Sequence, residues 1–383
     1  MTESPTLIDR YTVARELGSG GMGEVYLAYS PAGSPVAVKV IRSDKLDPMT
    51  RARFEKEALI ARTVVGTNRV ARFLDADPYA DRPWLAMEYV AGRTLLACVD
   101  SDGALPLPLV ASLGALLAEG LDAVHRAELL HRDLTPKNII MGSDGPMIID
   151  FGLSAFMDAA QESLSHSGMI IGTVRCMPPE QASGHPQVTP AADVYALGTV
   201  LLYAAARHYP YDGSRWEAIV AQIANVGIAP DLSGVPSGLV PLLTSMIAHA
   251  PEDRPTLDHV ADACADLMAA SGMAPMDARL ALIARSGTGQ GAGPSVEHVP
   301  PAVEKVLAQQ AALFETSASP LDVPPGADEA GEADEAERQQ DVPSKPPASQ
   351  QKQPPQRSRP GRPPASERVA GELRAAYAAG AAL

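Results

Sequence analysis

The chain has 383 residues, a length that suits a domain of about 250–270 residues plus further segments, and 46% of them are apolar, enough for a sizeable core. Its formal net charge of −15 disfavours nonspecific binding to nucleic acid or to an anionic membrane surface. Cys98, Cys176 and Cys264 show neither a paired nor a metal-binding spacing, which indicates a reducing compartment without structural zinc. No signal peptide and no run of about 18 apolar residues is visible, so we expect a cytoplasmic protein without a membrane span.

A glycine-rich stretch follows the first predicted strand, residues 11–17. Gly18, Gly20 and Gly23 can adopt unusual dihedral angles and let the backbone approach phosphate groups. A second strand over residues 25–28 follows directly, so the stretch predicts a hairpin tip. A dinucleotide-binding unit would need a helix at that point. A flexible turn without a ligand is the alternative interpretation.

Residues 36–41 form a β-branched strand with Lys39 in its middle. A lysine in such a strand is costly to bury unless an acid pairs with it. It therefore either lies on an exposed edge or has a buried partner. Residues 51–62 predict an amphipathic helix that offers two acids, Glu55 and Glu57, and Glu55 could instead pair with Arg51 on the helix surface.

Two further apolar elements follow. Residues 84–87 predict a buried strand, and residues 107–127 have the helical periodicity of a core helix. We expect His125, near the end of that helix, to be structural, as a favourable charge at a helix C-terminus.

Chemistry-bearing residues concentrate in the next stretch, His131-Arg132-Asp133-Leu134-Thr135-Pro136-Lys137-Asn138, which lies between apolar anchors. Asp150 comes seventeen residues after Asp133, behind a β-branched run and before Phe151-Gly152. Two acids with an amide between them can hold a divalent cation against phosphate oxygens while one acid meets an attacking hydroxyl.

The order His-Arg-Asp-Leu-x-x-x-Asn followed by Asp-Phe-Gly resembles the signature of the eukaryotic-type (Hanks-type) serine/threonine protein kinases of bacteria. The resemblance covers roughly residues 11–268. It implies an α+β, two-lobed protein kinase fold, with a small mainly-β N-lobe and a larger helical C-lobe. It also implies transfer of the γ-phosphoryl group of ATP to Ser or Thr hydroxyls of proteins, with Mg²⁺, or Mn²⁺ in its place.

The resemblance assigns roles to individual residues. Asp133 is the catalytic base, Lys137 neutralises the γ-phosphate, and Lys39, paired with Glu57, fixes the α- and β-phosphates. Asn138 and Asp150 are the metal ligands. The ATP-binding set is Leu17, Gly18, Ser19, Gly20, Gly21, Met22, Gly23, Val25, Ala37, Lys39, Glu88, Val90, Ile140 and Asp150. Within it, backbone groups of Glu88 and Val90 meet the adenine edge. Met87, which is outside this set, would lie at the back of the adenine pocket.

The resemblance also identifies the long polar stretch between Gly152 and Pro178 as an activation segment. Ser165 and Ser167, or Thr173, would carry activating phosphates that pair with Arg132, through autophosphorylation between self-associated copies. A switch and ordinary loop composition both remain open for these serines. Pro178 stands where the family usually has Ala, and Cys176 where an aromatic residue is common, so the resemblance does not define the peptide-docking surface. Glu180 is expected to pair with Arg254, and Asp193 to cap its helix or brace the catalytic loop.

Composition changes after the kinase-like region, residues 11–268. Residues 269–316 predict a linker with short helices at 276–285 and 303–314. Residues 317–383 are rich in Pro and Gln, with an acidic block and then a basic run, and predict a largely disordered tail that either binds a partner or is inert.

Two other functions have to be weighed. A pseudokinase scaffold usually lacks the Lys, Asp or Asn, and all three types are present here. A small-molecule kinase of related fold, such as an aminoglycoside phosphotransferase, usually lacks the regular glycine loop and the Pro-Glu end of the activation segment. Both features are present, so protein kinase is favoured.

Overall fold

A computed structural model describes residues 5–20, 23–41, 51, 55, 58, 69–150, 174–185 and 188–285. The chain divides into two units, residues 1–317 and 318–383, and all described residues lie in the first. The activation segment up to Thr173, Glu57 and everything beyond Arg285 are outside the described residues, so the predictions about them remain predictions.

The N-terminal part is a six-stranded antiparallel sheet in the order β1-β2-β3-β4-β6-β5. Its strands are β1 (Leu7–Ile8), β2 (Tyr11–Gly20), β3 (Gly23–Tyr29), β4 (Pro35–Ile41), β5 (Phe73–Asp77) and β6 (Trp84–Glu88). Consecutive side chains alternate between its two faces, and each face has its own apolar cluster. The small mainly-β N-lobe is therefore confirmed.

The C-terminal part is mainly helical. Its helices are α1 (Leu95–Asp102), α2 (Leu107–Arg126), α3 (Pro179–Ala182), α4 (Ala191–Ala206), α5 (Trp216–Ile223), α6 (Val240–Met246), α7 (Leu257–Ala270) and α8 (Pro275–Arg285). Short 3₁₀ turns lie at Pro136–Asn138 and Pro251–Asp253. The larger helical lobe is confirmed as well.

Helices α2 and α4 form the centre of this lobe. Helix α4 is apolar on nearly all sides and is buried almost throughout, as expected for a helix without a polar face. Helix α2 is long and apolar enough to span a membrane by length and composition, yet most of it is buried inside the lobe. Packing against α4, α7 and α8 accounts for its apolar composition.

A small second sheet, β7-β8-β9, lies where the chain passes between the lobes. It consists of β7 (Arg93–Thr94), β8 (Ile139–Gly142) and β9 (Gly145–Ile148), all antiparallel. Strand β7 runs directly into α1. The catalytic-loop residues come immediately before β8, and Asp150 comes shortly after β9, so this sheet positions both.

Helix α8 lies in the stretch predicted as a linker. A helix was expected there, but its side chains also pack against the lobe. Ala278 and Leu282 are fully buried in the main apolar core. The described part of the predicted linker is thus an integral part of the folded unit.

Candidate active site

The upper wall of the site is one face of the N-lobe sheet. Val25 lies opposite Lys39 in the β3–β4 pairing, and Met87 lies opposite Ala37 in the β4–β6 pairing. Directly paired residues of neighbouring strands point to the same face. The structure therefore places predicted adenine-contacting side chains on the same surface as the predicted phosphate-binding lysine.

The glycine loop is the hairpin tip that joins β2 and β3. Leu17 and Gly18 lie in the β2 part of it, and Gly20 is paired with Gly23. A Cβ atom on Gly18 would meet no heavy atom within 4 Å, whereas one on Gly23 would lie 1.9 Å from the Val40 carbonyl oxygen. Because β4 approaches so closely, a residue with a side chain does not fit at position 23. Ser19 is exposed, and Gly21 and Met22 lie outside the described residues.

Lys39 is buried, and its Nζ lies 3.0 Å from Asp150 Oδ2. The structure thus supplies an acidic partner for the lysine, as its burial requires. The proposed partner Glu57 is outside the described residues. Glu55, the other candidate, accepts a hydrogen bond from the Tyr79 hydroxyl at 2.9 Å, so its described contact is on the surface of the lobe.

Two site residues have a left-handed backbone: Asp150 with φ of 61° and Arg132 with φ of 60°. Non-glycine residues adopt this region at a cost of about 1–3 kcal/mol, and such strain is concentrated at functional sites. Hydrogen bonds around them fix the conformation. The Ile149 N–H donates to the Asn138 carbonyl oxygen at 2.9 Å, and the His131 ring contacts the Ile149 carbonyl oxygen at 3.1 Å.

Asp133 and Asn138 are joined by their side chains. The Asn138 amide donates to the Asp133 carbonyl oxygen at 2.8 Å and to Asp133 Oδ2 at 3.1 Å. Asp133 Oδ1 is buried and has no hydrogen-bond partner in the described part of the chain. Burial raises the pKa of the Asp133 carboxyl, although the charges of His131 and Lys39 oppose that shift. Asp133 thus has an unused acceptor oxygen and a raised pKa, two properties expected of a carboxyl group that accepts a hydrogen bond and then a proton from a substrate hydroxyl.

The donor set also fits a divalent metal. The side-chain nitrogen of Asn138 donates to Asp133, so the side-chain oxygen of Asn138 takes no part in these two hydrogen bonds and can serve as a metal ligand. Asp150 contributes carboxylate oxygens at the same open end of the β8–β9 hairpin, where Ile139 is paired with Ile148. Amide and carboxylate oxygens are the ligands that Mg²⁺ prefers, and phosphate oxygens usually complete its coordination. The residues present therefore match the predicted metal.

Asp193 binds the backbone of the catalytic loop. It is 1% exposed and accepts hydrogen bonds from the backbone N–H groups of His131 and Arg132, both at 2.9 Å. His125 Nε2 lies 2.7 Å from Asp193 Oδ2. Burial by itself raises the pKa of Asp193, but the His125 contact and the His131 N–H outweigh it, and the pKa is lowered. Sequence reasoning left bracing as one of two roles for Asp193 and expected His125 only to be structural.

Lys137 differs from the other predicted catalytic residues. It lies in the 3₁₀ turn Pro136–Asn138 with its side chain exposed. Within the part of the chain that the structure describes, it has no hydrogen bond or ion pair. The structure thus brings Lys39, Asp133, Asn138 and Asp150 together, while Lys137 lies on the rim, and its role remains a prediction.

The predicted hinge links β6 to β7. The backbone N–H of Glu88 donates to the Arg72 carbonyl oxygen at 2.8 Å. Of the two backbone groups of Glu88, this leaves the carbonyl oxygen for the predicted contact with adenine. Val90 follows in irregular backbone. Ile140 pairs with Thr94 of β7, so it lies on the small sheet below the hinge. A Cβ atom on Gly92 would lie 2.4 Å from the Met141 carbonyl oxygen, so the hinge and β8 are in close contact.

The end of the activation segment is held by a buried ion pair. Arg254 contacts both carboxylate oxygens of Glu180, at 2.7 and 2.8 Å, as predicted. Phe151, Gly152, Ser154, Ser163, Ser165, Ser167 and Thr173 lie outside the described residues. Cys176 is buried near Asp133, and burial raises the pKa of its thiol, so it is a protonated core residue at neutral pH.

Some residues around the site were missed by sequence reasoning. Arg69 and Arg279 donate to the Asp144 carbonyl oxygen in the β8–β9 turn, and Arg285 donates to the Asp102 carbonyl oxygen at the end of α1. No sequence pattern shows that an isolated arginine outside a motif will bind a backbone carbonyl group. The only hint was the position of Arg285 in the last turn of a predicted helix, where a cation is favourable.

Comparison with known proteins is consistent with this geometry. The family described as "Protein kinase domain" matches residues 11–264. The chain is 42% identical over 253 residues to "Probable serine/threonine-protein kinase PkwA" of Thermomonospora curvata, covering 66% of this chain and 33% of that protein. It is 40% identical over 252 residues to "Serine/threonine-protein kinase AfsK" of Streptomyces coelicolor, covering 66% and 31%. The chain thus spans about a third of the length of these curated relatives.

Among solved structures, the crystal structure of a mutant PknI kinase domain from Mycobacterium tuberculosis is similar, with a TM-score of 0.55 and 27% identity. The similarity covers 70% of this chain and 99% of that one. The family match over residues 11–264 includes both lobes and every described site residue. The chain belongs to the protein kinase family, among the bacterial serine/threonine kinases of eukaryotic type.

Proposed function

We propose that this chain is a serine/threonine protein kinase that transfers the γ-phosphoryl group of ATP to Ser or Thr hydroxyls of proteins. The observation that carries the proposal is the convergence of four side chains from distant parts of the chain. Lys39 pairs with Asp150, and Asp133 pairs with Asn138, at 3.0 and 3.1 Å. Phosphoryl transfer needs mainly positioning and compensation of negative charge, which such a set supplies.

The transfer step follows from these contacts. The substrate hydroxyl oxygen forms a bond to the γ-phosphorus while the bond from that phosphorus to the bridging β–γ oxygen breaks, and ADP leaves. Asp133 orients the hydroxyl and takes its proton, because its Oδ1 is an acceptor that no described group uses. Lys39 holds the α- and β-phosphates. Mg²⁺, or Mn²⁺, bound by Asn138 and Asp150 would neutralise charge on the phosphate oxygens.

Lys137 has a separate place in the proposal. Its exposed side chain lies one residue before Asn138, on the open side of the loop. From there a flexible ammonium group reaches the γ-phosphate only when nucleotide and substrate are bound. The Lys137→Ala variant is therefore expected to lower the transfer rate without changing the free energy of unfolding.

The proposed kinase is regulated by phosphorylation of its own activation segment and works in the cytoplasm. Autophosphorylation of the activation segment at Ser165, Ser167 or Thr173, in self-associated copies, would switch the enzyme on through pairing with Arg132. We place the protein in the cytoplasm, on the sparse cysteines and the acidic composition. Its protein substrates are other Ser- or Thr-containing chains.

The test is incubation of the purified full chain with Mg²⁺ and labelled ATP, with a panel of proteins and of aminoglycosides as acceptors. Mass spectrometry then locates the label. Phosphoserine or phosphothreonine, absent in the Asp133→Asn variant, supports the proposal. Label on an aminoglycoside alone, or a wild-type chain that binds no nucleotide, contradicts it.

A further inference from the structure

Helix α8 begins eleven residues beyond residue 264, the end of the matched kinase domain, yet its arginine side chains contact the β8–β9 turn and the C-terminal end of α1. Its buried side chains, Ala278 and Leu282, pack it onto the lobe next to α2 and β9. Its two described arginine contacts, from Arg279 and Arg285, are made with backbone carbonyl oxygens outside the helix.

The first contact is at the turn between β8 and β9. Arg279 Nη2 donates to the Asp144 carbonyl oxygen at 2.9 Å, and Arg69 Nη1 donates to the same oxygen at 2.8 Å. The Arg69 carbonyl oxygen also accepts from the Ile148 N–H at 2.7 Å. The two arginines therefore fix the hairpin turn and, through Arg69, the end of β9 that leads to Asp150.

Bringing two cations to one carbonyl oxygen is electrostatically unfavourable. The pKa of Arg69 is lowered, first by burial and next by the charge of Arg279, while the charges of Glu119 and Asp144 act in the opposite direction. Such crowding persists only where the contact is supported by the surrounding packing. Here that support is the burial of α8 itself.

The second contact is at the end of α1. Arg285 Nη2 donates to the carbonyl oxygens of Asp102, Gly103 and Ala104, at 2.8, 3.3 and 3.0 Å. These oxygens lie at the C-terminal end of a helix, where orphan carbonyl groups and the helix dipole favour a cation. The Asp102 side chain pairs in turn with Arg93 of β7. Arg285 is thus connected through Asp102 to β7, the strand that precedes α1.

Strands β7 and β8 are paired through Arg93 and Met141, and β8 and β9 through Met141 and Pro146. Arg285 therefore holds one edge of this three-stranded sheet through α1, and Arg279 holds its far turn. Asn138 precedes β8 and Asp150 follows β9, so both proposed metal ligands are attached to the same sheet.

We propose that α8 is a positioning element of the nucleotide site, in which Arg279 and Arg285 hold the sheet that carries Ile140, Asn138 and Asp150. The inference rests on the proposed nucleotide binding and extends it to a segment outside the kinase domain. Arg279 and Arg285 are positioning residues, since they contact backbone groups and not the nucleotide.

The test uses the full chain and a fluorescent ADP analogue with Mg²⁺. Loss of one such hydrogen-bonded contact is expected to weaken binding about three- to tenfold in Arg279→Ala and in Arg285→Ala. Arg285→Lys keeps the positive charge but ends one bond short of the position of Nη2, so it should recover only part of the binding that Arg285→Ala loses. The exposed Arg215→Ala, at the start of α5, is the charge-matched control and should not change the dissociation constant.

The outcomes separate the two proposals. If the wild-type chain does not bind the analogue, the proposed function fails. If it binds and both alanine variants match it, the positioning role of α8 is rejected.

A measurement on the wild-type chain alone covers the case in which an alanine variant does not fold. Coupling between two sites is reciprocal, so nucleotide binding must stabilise α8 in return. Hydrogen exchange should then show slower exchange of the α8 amides when Mg²⁺ and the analogue are bound. Protection that rises in β8 and β9 but stays unchanged in α8 overturns the inference.

Discussion

Lys39 Nζ lies 3.0 Å from Asp150 Oδ2, although 111 residues separate the two in the chain. The contact joins the N-lobe sheet to the hairpin of the C-terminal lobe. Because both side chains are largely shielded from solvent, removal of either leaves an uncompensated charge in the site.

The Lys39→Met variant is expected to lose phosphoryl transfer by at least about a hundredfold, since both the phosphate contact and the partner of Asp150 disappear. The check is the rate of label transfer from ATP, with circular dichroism to establish that the variant is folded. The surface variant Arg82→Ala, which breaks the exposed pair with Glu24, is the control and should retain the wild-type rate. A folded Lys39→Met protein with normal transfer would exclude the assigned role.

Asp133 carries a testable pH signature. Its pKa is raised by burial, so the acid limb of kcat/KM should lie above the pKa of about 3.9 of an ordinary Asp. A folded-state pKa above the unfolded value also means that ionised Asp133 destabilises the fold at neutral pH. Asp133→Asn should therefore raise the melting temperature at pH 7, and the gain should vanish as the pH falls below both pKa values. A loss of stability at pH 7 would contradict the inferred environment.

Asp193 is expected to show the opposite pH dependence. Its pKa is lowered, so its contribution to stability is complete above the unfolded pKa and is lost as the pH falls through the folded pKa. Asp193→Asn removes the charge that three donors share, and should lower kcat more than tenfold with little change in KM for ATP. Urea unfolding at neutral pH and below about pH 4 should show the stability difference shrinking on acidification. An equal difference at both pH values would argue against the carboxylate as the source.

Glu180 and Arg254 form the buried pair at the end of the activation segment. Glu180→Ala leaves Arg254 buried without its carboxylate and should reduce the free energy of unfolding by about 3–5 kcal/mol. The exposed pair of Arg72 and Glu88 gives the comparison, since Arg72→Ala should cost less than about 1 kcal/mol. Equal effects of the two variants would mean that burial of the Glu180 pair is not what matters.

The glycine loop offers a matched pair of variants. A Cβ atom at position 23 would lie 1.9 Å from the Val40 carbonyl oxygen, whereas position 18 is open. Gly23→Ala should therefore lower the free energy of unfolding by about 1–3 kcal/mol, while Gly18→Ala should change it by less than about 0.5 kcal/mol. Chemical denaturation of both variants measures the difference. If the order were reversed, β4 would not approach the loop in the way described.

The sequence identified the residues whose types and spacing are constrained by the chemistry. Lys39 was recognisable as a cation in a buried strand, and Asp133, Asn138 and Asp150 by their order. The fold class followed from the resemblance of these motifs to those of the protein kinases, and the periodicity of residues 107–127 predicted one core helix. Such signals are local and can be read within about twenty residues.

What could not be predicted depends on distant contacts. The pairing of Lys39 with Asp150 and the strained backbone of Arg132 arise only when the two lobes and the loop are assembled. The contacts of Arg279 and Arg285 are with carbonyl oxygens, which every residue has, so no sequence pattern marks them. The stretch of residues 269–316 was predicted as a linker because the composition changes after residue 268, and the burial of Leu282 depends on packing against α2.

The most direct test of the central claim is a single-turnover measurement on the full chain, comparing wild type with Asp133→Asn after loading with Mg²⁺ and labelled ATP. If Asp133 takes the proton from the acceptor hydroxyl, the variant should bind ATP within about twofold of wild type and transfer the label at least about a hundredfold more slowly. Equal transfer rates in the two proteins would contradict the site described here.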